Sequence, residues 1–178
     1  MNTVKSKITL YMAISSDGFI AKTDGDSDWV SPEDSVNFEQ AIHDRGCLIV
    51  GRKTFEQFQG ELYPVAGVIN IVLTSQTAPT TQAKNVLFVS TGPQGVINLL
   101  QSQNIAQALL IGGGSTNAAF WNENLIDEII LSVHPLFLGQ GLRLFRESAR
   151  ERRLILQQSK ELNDGLIQST YLVSKDRT

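Results

Sequence analysis

The chain has little cysteine, few aromatic residues, no long apolar run and no strong excess of either charge. Of 178 residues, one is cysteine, 7% are aromatic, and the formal net charge is -3. One cysteine excludes an internal disulfide, and the slight negative charge offers no general basic face for nucleic acid. No stretch approaches the roughly 20 apolar residues of a membrane span, and no secretory leader pattern opens the chain. These absences favour small-molecule chemistry in the cytoplasm, with neither nucleic acid nor a membrane as partner.

Several familiar catalytic motifs are also missing. The sequence contains no G-x-S-x-G elbow, no Walker-type phosphate loop and no G-x-G-x-x-G after the first apolar run. Its two histidines, His43 in a helical stretch and His134 before a proline, are far apart and lack clustered carboxylates, so we expect no metal site. Each is interpreted as a surface or strand-end residue. Cys47 opens an apolar run, which predicts a buried core thiol rather than a nucleophile.

Arginine is concentrated in one segment near residue 150, where it alternates with glutamate. This pattern predicts a solvated charged segment, with a phosphate-binding patch as the alternative. The arginines concerned are Arg143, Arg146, Arg150, Arg152 and Arg153.

Apolar runs of strand length alternate with segments of helical period over most of the chain. This alternation predicts parallel strands joined by right-handed helical crossovers. After Leu125 three strands follow without a clear helix, and Asn163-Asp164-Gly165 is typical of a hairpin turn. We therefore predict a single α/β domain over residues 1–178, with a mostly parallel twisted sheet of about eight strands, helices on both faces and an antiparallel C-terminal hairpin. The predicted strands are 8–14, 47–50, 68–73, 86–89, 108–111, 126–133, 154–158 and 166–174, and the helices 32–44, 53–58, 93–103 and 116–122.

The most informative segment is an apolar run that ends in Gly112, Gly113 and Gly114 before a helical segment. Three glycines at a strand-to-helix turn leave backbone N–H groups uncovered beside a helix N-terminus, which favours a phosphate. A tight turn with no ligand remains an alternative interpretation.

Four motifs occur in order along the chain: residues 13–20 (AISSDGFI), residues 29–38 (WVSPEDSVNF), residues 49–55 (IVGRKTF) with their partner 71–76 (IVLTSQ), and residues 111–114 (IGGG). Together they resemble the dihydrofolate reductase superfamily. The later segments 127–131 (DEIIL) and 134–145 (HPLFLGQGLRLF) resemble the reductase domain of bacterial riboflavin biosynthesis and its stand-alone relatives.

The resemblance implies NADPH as the cofactor, with Arg52 and the Thr74–Ser75 loop beside its 2′-phosphate and the glycine turn at its pyrophosphate. A planar guanidinium suits a phosphate dianion. The residues implied in cofactor binding are Ala13, Ile20, Gly51, Arg52, Lys53, Thr54, Leu73, Thr74, Ser75, Ile111, Gly112, Gly113, Gly114, Ser115 and Thr116.

The resemblance also implies a substrate pocket lined by Trp29, Asp34, Phe38 and Ser132, with Asp34 as the catalytic carboxylate. Such a carboxylate would face an apolar cleft, accept paired N–H donors and support protonation. The alternative is that Asp34 only complements the dipole of a first helical turn. Val68 occupies the position where dihydrofolate reductases hold the folate tail with an arginine, which disfavours folate.

Together these features predict an NADPH-dependent reductase of a pteridine or (ribosylamino)pyrimidine, resembling 5-amino-6-(5-phosphoribosylamino)uracil reductase. Family analogy implies a homodimer. Dihydrofolate reductase activity and a non-catalytic, dinucleotide-binding regulatory protein remain as alternatives.

Overall fold

The computed structural model describes residues 5–76, 83–148 and 150–175, which form ten strands and four α-helices. No helix among these residues has the length and apolar character needed to cross a membrane. In chain order the elements are β1 Lys7–Ser15, β2 Phe19–Ala21, α1 Pro32–Arg45, β3 Cys47–Gly51, α2 Arg52–Gln57, β4 Ile69–Leu73, β5 Val86–Val89, α3 Gly92–Ser102, β6 Gln107–Leu110, α4 Gly114–Asn122, β7 Glu128–His134, β8 Leu142–Arg143, β9 Leu154–Glu161 and β10 Ile167–Val173.

Eight strands form one sheet in the order β5-β4-β3-β6-β1-β7-β10-β9. The six strands from β5 to β7 are parallel to one another, and β10 is antiparallel to both β7 and β9. The predicted mostly parallel sheet with an antiparallel C-terminal hairpin is confirmed.

Two apolar clusters lie on opposite faces of this sheet, because side chains alternate across a strand. On one face Ile42 of α1 and Phe55 of α2 pack with Leu48 of β3, and on the other the α3 and α4 side chains pack with β1, β3 and β6. Helices therefore cover both faces, as predicted. Cys47 belongs to the second of these clusters with 1% exposure, and burial raises the pKa of its thiol to about 12, which confirms a core residue.

Two short strands, β2 and β8, were not predicted. They pair with each other, apart from the large sheet, and are too short for alternation to be recognised. The strand β9 continues to Glu161, beyond the predicted 154–158. Its last residues are polar, so no apolar pattern marks its end in the sequence. At the predicted hairpin turn, Asp164 and Gly165 have φ of 57° and 76° within a 3-10 turn.

The strand order brings the carboxyl ends of β1, β3, β4, β6 and β7 to one edge of the sheet. The register aligns Gly51 of β3 with Leu73 of β4, and Ala13 of β1 with Ser132 of β7. After β1 the chain forms β3, β4 and β5 on one side of β1 in the sheet. It then returns through β6, next to β1 on that side, and continues to β7 on the other side of β1. In open α/β sheets, ligands bind at the carboxyl ends of strands beside such a reversal.

Candidate active site

The ends of β3 and β6 approach each other closely through glycine. The Gly51 N–H donates to the Gly112 carbonyl over 2.8 Å, and a Cβ at Gly51 would collide with Oγ1 of Thr116. A Cβ at Gly113 would lie 3.0 Å from Oγ1 of Thr54. Glycine at positions 51 and 113 therefore lets α2 and the N-terminus of α4 meet at this edge of the sheet.

The N-terminus of α4 has free donors. None of the N–H groups of Gly114, Ser115 and Thr116 bonds to an acceptor among the described residues. Gly112 has φ of 102°, a conformation that L side chains rarely adopt, and its peptide bond to Gly113 is cis. The donors and the helix dipole together make this turn suited to a phosphate or pyrophosphate.

The groups expected near a 2′-phosphate lie at the ends of β3 and β4. Arg52 is half-buried at the start of α2, where its Nε donates to Oε1 of Glu56 over 2.6 Å. Thr74 is buried and its Oγ1 accepts from the Gln76 N–H, whereas Ser75 and Lys53 are exposed. The structure thus brings Arg52 and Thr74 to neighbouring strand ends, but it already gives the guanidinium one carboxylate partner.

A buried polar cluster lies beside this region, between α1 and the sheet. Asp34 is 1% exposed, and its Oδ1 accepts from Tyr11 Oη at 2.7 Å and from Ser132 Oγ at 2.6 Å. Gln168 Nε2 donates to both of these hydroxyl oxygens, at 2.9 and 3.1 Å. The four side chains form a closed ring in which both hydroxyl hydrogens point to one carboxylate oxygen. We call this set the Asp34 ring.

His134 lies against the Asp34 ring and is 3% exposed. Its Nε2 accepts from the Ser31 N–H at 3.1 Å, so the proton lies on Nδ1, which contacts the Ser132 carbonyl at 3.1 Å. The same Nε2 lies 3.9 Å from Oδ2 of Asp34. His134 is therefore at a strand end, as predicted, but it is buried rather than on the surface.

The remaining predicted substrate residues meet the same cluster. Trp29 packs edge-on against His134 with ring centroids 5.1 Å apart, and Phe38 packs against Tyr11 at 5.3 Å. The indole Nε1 of Trp29 is buried without a hydrogen-bond partner among the described residues. Trp29, Asp34, Phe38 and Ser132 thus share one region, although they are separated in the sequence.

The surroundings of Asp34 differ from the expectation of paired N–H donors. Its Oδ1 accepts from two hydroxyl groups, one from β1 and one from β7. Burial, followed by the contact with the Asp34 carboxylate, raises the pKa of Tyr11 well above its usual range, so the phenol stays protonated as a donor. Asp34 does lie in the first turn of α1, yet such a turn needs no buried hydroxyl partners.

Sequence reasoning missed Tyr11, Gln168 and His134 as parts of this region. Tyr11 and His134 are polar residues in or at the end of largely apolar strands, which was the available signal, whereas Gln168 stands in a strand with several polar residues and carried none. Their convergence depends on the order β1-β7-β10, which periodicity alone does not specify.

Ala13 and Ile20, which the resemblance implies in cofactor binding, lie on β1 and β2. The loop between these strands is fixed by Asp17, whose Oδ1 accepts from Ser15 Oγ at 2.6 Å and from the Leu138 N–H at 3.1 Å. The Oδ2 of Asp17 accepts from the Gly139 N–H at 2.7 Å. Asp17 therefore joins the β1–β2 loop to the loop after β7, which contains Leu138 and Gly139.

The segment after β8 covers the N-terminal turn of α4. The Arg146 N–H donates to the Gly114 carbonyl at 3.1 Å, and a Cβ at Gly114 would collide with the Arg143 carbonyl.

Within the predicted solvated segment, Arg152 differs from expectation. Its guanidinium lies 5.6 Å from the Trp121 ring centroid and donates to the Trp121 carbonyl, so it is a packing residue.

No group of three or more His, Cys, Asp or Glu suited to a metal ion occurs in the part of the chain that the structure describes.

Comparison with known proteins identifies the family. The model of the RibD C-terminal domain family matches residues 6–168, and the chain belongs to this family. The resemblance inferred from the motifs is confirmed.

Three similar proteins illustrate the relationship. The uncharacterized protein YwjB of Bacillus subtilis (strain 168) is 29% identical over 168 residues, covering 92% of this chain and 96% of YwjB. A solved structure from Shewanella sp. PV-4, provisionally named a riboflavin biosynthesis protein, has a TM-score of 0.81 and 27% identity, covering 95% of this chain and 99% of that one. The Thermotoga maritima diaminohydroxyphosphoribosylaminopyrimidine deaminase/5-amino-6-(5-phosphoribosylamino)uracil reductase has a TM-score of 0.75 and 16% identity, covering 96% of this chain but 57% of that one.

Proposed function

We propose that this protein is an NADPH-dependent reductase of a pyrimidine- or pteridine-type small molecule. One observation carries the proposal: the free N–H groups at the N-terminus of α4 and the buried Asp34 ring lie at the carboxyl ends of neighbouring strands of one sheet. A dinucleotide and a planar heterocycle bound at this edge would be side by side, which is the arrangement that hydride transfer needs.

The donor set at the glycine turn fits a dinucleotide. Gly114, Ser115 and Thr116 would hold the pyrophosphate through their N–H groups, and Arg52 with Ser75 would hold the 2′-phosphate. Bound NADPH supplies a hydride to the substrate. Ala13 and Ile20 border the nicotinamide in this proposal, because Ala13 lies on β1 beyond its last pair with β6 and Ile20 lies on β2 after the next loop.

The Asp34 ring provides the recognition of the substrate. A carboxylate accepts hydrogen bonds from ring N–H groups, and Trp29 and Phe38 offer aromatic surfaces beside it. Reduction of a C=N bond adds the hydride to carbon and a proton to nitrogen. We infer that Asp34 orients the heterocycle and supports this protonation, while the surrounding apolar side chains exclude water.

The environment of Val68 argues against folate. Val68 is 3% exposed and belongs to the apolar cluster beneath α1 and α2. It offers no positive charge to a substrate carboxylate, and an unpaired carboxylate held there would be disfavoured. The names of the relatives point the same way, since a Corynebacterium diphtheriae structure with a TM-score of 0.78 and 16% identity is named pyrimidine reductase-like.

The test is direct. The purified chain should change NADPH fluorescence when it binds the cofactor. It should also oxidise NADPH in the presence of a dihydropterin that lacks the glutamate tail or of a ribosylaminopyrimidine. Dihydrofolate serves as the tailed control and should react more slowly. NADPH binding without oxidation across all these substrates would favour the non-catalytic alternative, and an absence of NADPH binding would refute the proposal.

A further inference from the structure

The His134 side chain connects the two residues that hold Asp34 in place. Its Nε2 accepts from the Ser31 N–H, and its Nδ1 lies 3.1 Å from the Ser132 carbonyl. Ser31 is the N-cap of α1, and its Oγ accepts from the Asp34 N–H at 3.2 Å. Ser132 donates its hydroxyl to Oδ1 of Asp34. Through these two serines the imidazole is linked to both the backbone and the carboxylate of Asp34.

The two carboxylate oxygens of Asp34 are used unequally. Oδ1 accepts both hydroxyl hydrogens of the Asp34 ring, whereas Oδ2 accepts no hydrogen bond from the described residues. The Nε2 of His134 lies 3.9 Å from Oδ2, beyond hydrogen-bond distance, and its lone pair faces the Ser31 N–H. Neutral His134 therefore has no proton to donate to Oδ2, and this oxygen remains the acceptor for a substrate N–H group.

A proton on Nε2 of His134 would change both contacts. An imidazolium has donors on both nitrogens, so it can no longer accept from the Ser31 N–H, and two donors then face each other. Oδ2 of Asp34 is the one acidic oxygen within 4.0 Å of the imidazole among the described residues. His134 is buried, so salt screens its attraction to a carboxylate only weakly. Protonated His134 would therefore turn from Ser31 to Asp34 and occupy the free oxygen.

The other titratable groups on the elements around His134 have partners of their own. Glu33, also on α1, accepts a backbone N–H from the turn between β9 and β10 at 2.8 Å. Asp17 in the β1–β2 loop accepts from that loop and from the loop after β7. Tyr11 of β1 donates to Oδ1 of Asp34, and β10 contributes an amide, which does not titrate. The charge of His134 therefore acts mainly on Asp34.

We propose that His134 is a positioning residue that keeps Oδ2 of Asp34 open for the substrate while the imidazole is neutral, and that occupies this oxygen when protonated. This inference rests on the proposed function, because it needs Asp34 to hold the substrate heterocycle. An imidazolium and a heterocycle N–H then compete for one oxygen. Acid therefore weakens the binding of the substrate and leaves the binding of NADPH at the glycine turn unchanged.

Substitution of His134 by glutamine separates the charge from the hydrogen bonds. The amide in His134→Gln can still accept from the Ser31 N–H and donate to the Ser132 carbonyl, but it stays neutral. The kcat and the KM for a ribosylaminopyrimidine or a dihydropterin are measured between about pH 8 and pH 5, the range in which histidine ordinarily titrates.

In the wild type the substrate KM should rise about tenfold for each pH unit on the acid side, while kcat and the KM for NADPH change much less. In His134→Gln the substrate KM should stay nearly constant. His43→Gln, at the exposed histidine of α1, is the matched control and should keep the wild-type profile.

NMR of the chain without substrate tests the same geometry independently. The chain has two histidines, so His43→Gln assigns the ring signals of both. The ring nitrogen shifts should place the proton of neutral His134 on Nδ1. The amide proton of Ser31 should shift with the same pH midpoint as the His134 ring, because protonation removes its acceptor.

The outcomes separate this inference from the proposed function. Equal acid profiles of the substrate KM in wild type and His134→Gln would overturn the role of His134 and leave the reductase proposal intact. A proton on Nε2 at neutral pH would also contradict it, since Nε2 could not then accept from Ser31. If His134→Gln does not fold, the wild-type ring and Ser31 signals decide. If no pyrimidine or pterin reacts at any pH, the reductase proposal fails and this inference fails with it.

Discussion

At the scale of single residues, Gln168 determines how two hydroxyl groups are used. Its amide donates to both Tyr11 Oη and Ser132 Oγ, which leaves each hydroxyl hydrogen available to Asp34 Oδ1. Both hydroxyl hydrogens are therefore directed to the same carboxylate oxygen. Hydrogen bonds to a charged group are stronger than those between neutral groups, and the ring holds Asp34 in one orientation.

The first residue-scale prediction concerns Asp34. Asp34→Asn should retain NADPH affinity and lower turnover of any accepted substrate by about 10²–10⁴-fold, if the carboxylate supports protonation. Measurements of kcat against pH and of NADPH dissociation constants distinguish the two effects. Gln168→Leu should lower kcat less than Asp34→Asn does, because Asp34 keeps its two hydroxyl donors. The matched control is Gln103→Leu, at the exposed end of α3. If the Asp34→Asn variant has the wild-type kcat, Asp34 does not support protonation and serves only at the N-terminus of α1.

The second residue-scale prediction concerns Arg52. Arg52→Ala should weaken NADPH by about 10–100-fold and NADH much less, because a hydrogen bond to a charged group contributes about 1.5–3 kcal/mol. Glu56→Gln is the matched control, since it removes the carboxylate that Arg52 now contacts at 2.6 Å. This control should retain or improve NADPH affinity in a fluorescence titration. Equal losses of both cofactors in Arg52→Ala would contradict a 2′-phosphate contact.

At the scale of elements, two loops distant in the sequence depend on one carboxylate. Asp17 lies between β1 and β2, and it receives the N–H groups of Leu138 and Gly139 from the loop after β7. Its hydrogen bond from Ser15, followed by those two N–H groups, lowers the pKa of Asp17 below its usual range. The small β2–β8 sheet begins directly beyond these loops, so Asp17 helps to align its strands.

This geometry predicts a pH-dependent contribution to stability. Because the folded-state pKa is lowered, Asp17 stabilises the fold above the ordinary aspartate pKa of about 3.9, and the stabilisation is lost as the pH falls through the folded value. Asp17→Asn should therefore lower the thermal midpoint at pH 7, and the difference from wild type should narrow below about pH 4. Asp24→Asn in the neighbouring exposed loop is the control. A difference that is constant with pH would contradict the role of the charge.

Elements also show what the sequence could predict. Alternation and turn residues located the eight strands of the large sheet and all four helices, because each of these has either an apolar run or a helical period. The same criteria could not detect β2 and β8, which are very short and whose alignment involves the Asp17 hydrogen bonds and the close approach of Gly141 to the Ala21 carbonyl. Motif resemblance placed Asp34 and Ser132 in one pocket, but the hydroxyl donor Tyr11 and the amide of Gln168 depend on tertiary register.

At the scale of the whole molecule, the two clusters that cover the sheet are joined by its central strands. Strand β1 lies between β6 and β7, and its side chains enter both apolar clusters, with Leu10 on one face and Tyr11 on the other. The proposed cofactor region and the Asp34 ring lie on either side of this strand's carboxyl end. A displacement of β1 would therefore change both regions together.

The central position of β1 also has a consequence for biosynthesis. Lys7 pairs with Gln107 and Thr9 with Glu128, so each partner of the first strand leaves the ribosome at least 100 positions later. At about 5–20 residues per second, the nascent apolar strand waits several seconds for its neighbours. Strands β3, β4 and β5 adjoin in sequence order and can pair during that interval, whereas β1 gains its neighbours only after β6 and then β7 have been made. Strand β1 therefore stays without its sheet neighbours for longer than β3 or β4 does, and its apolar side chains stay unpaired during that interval.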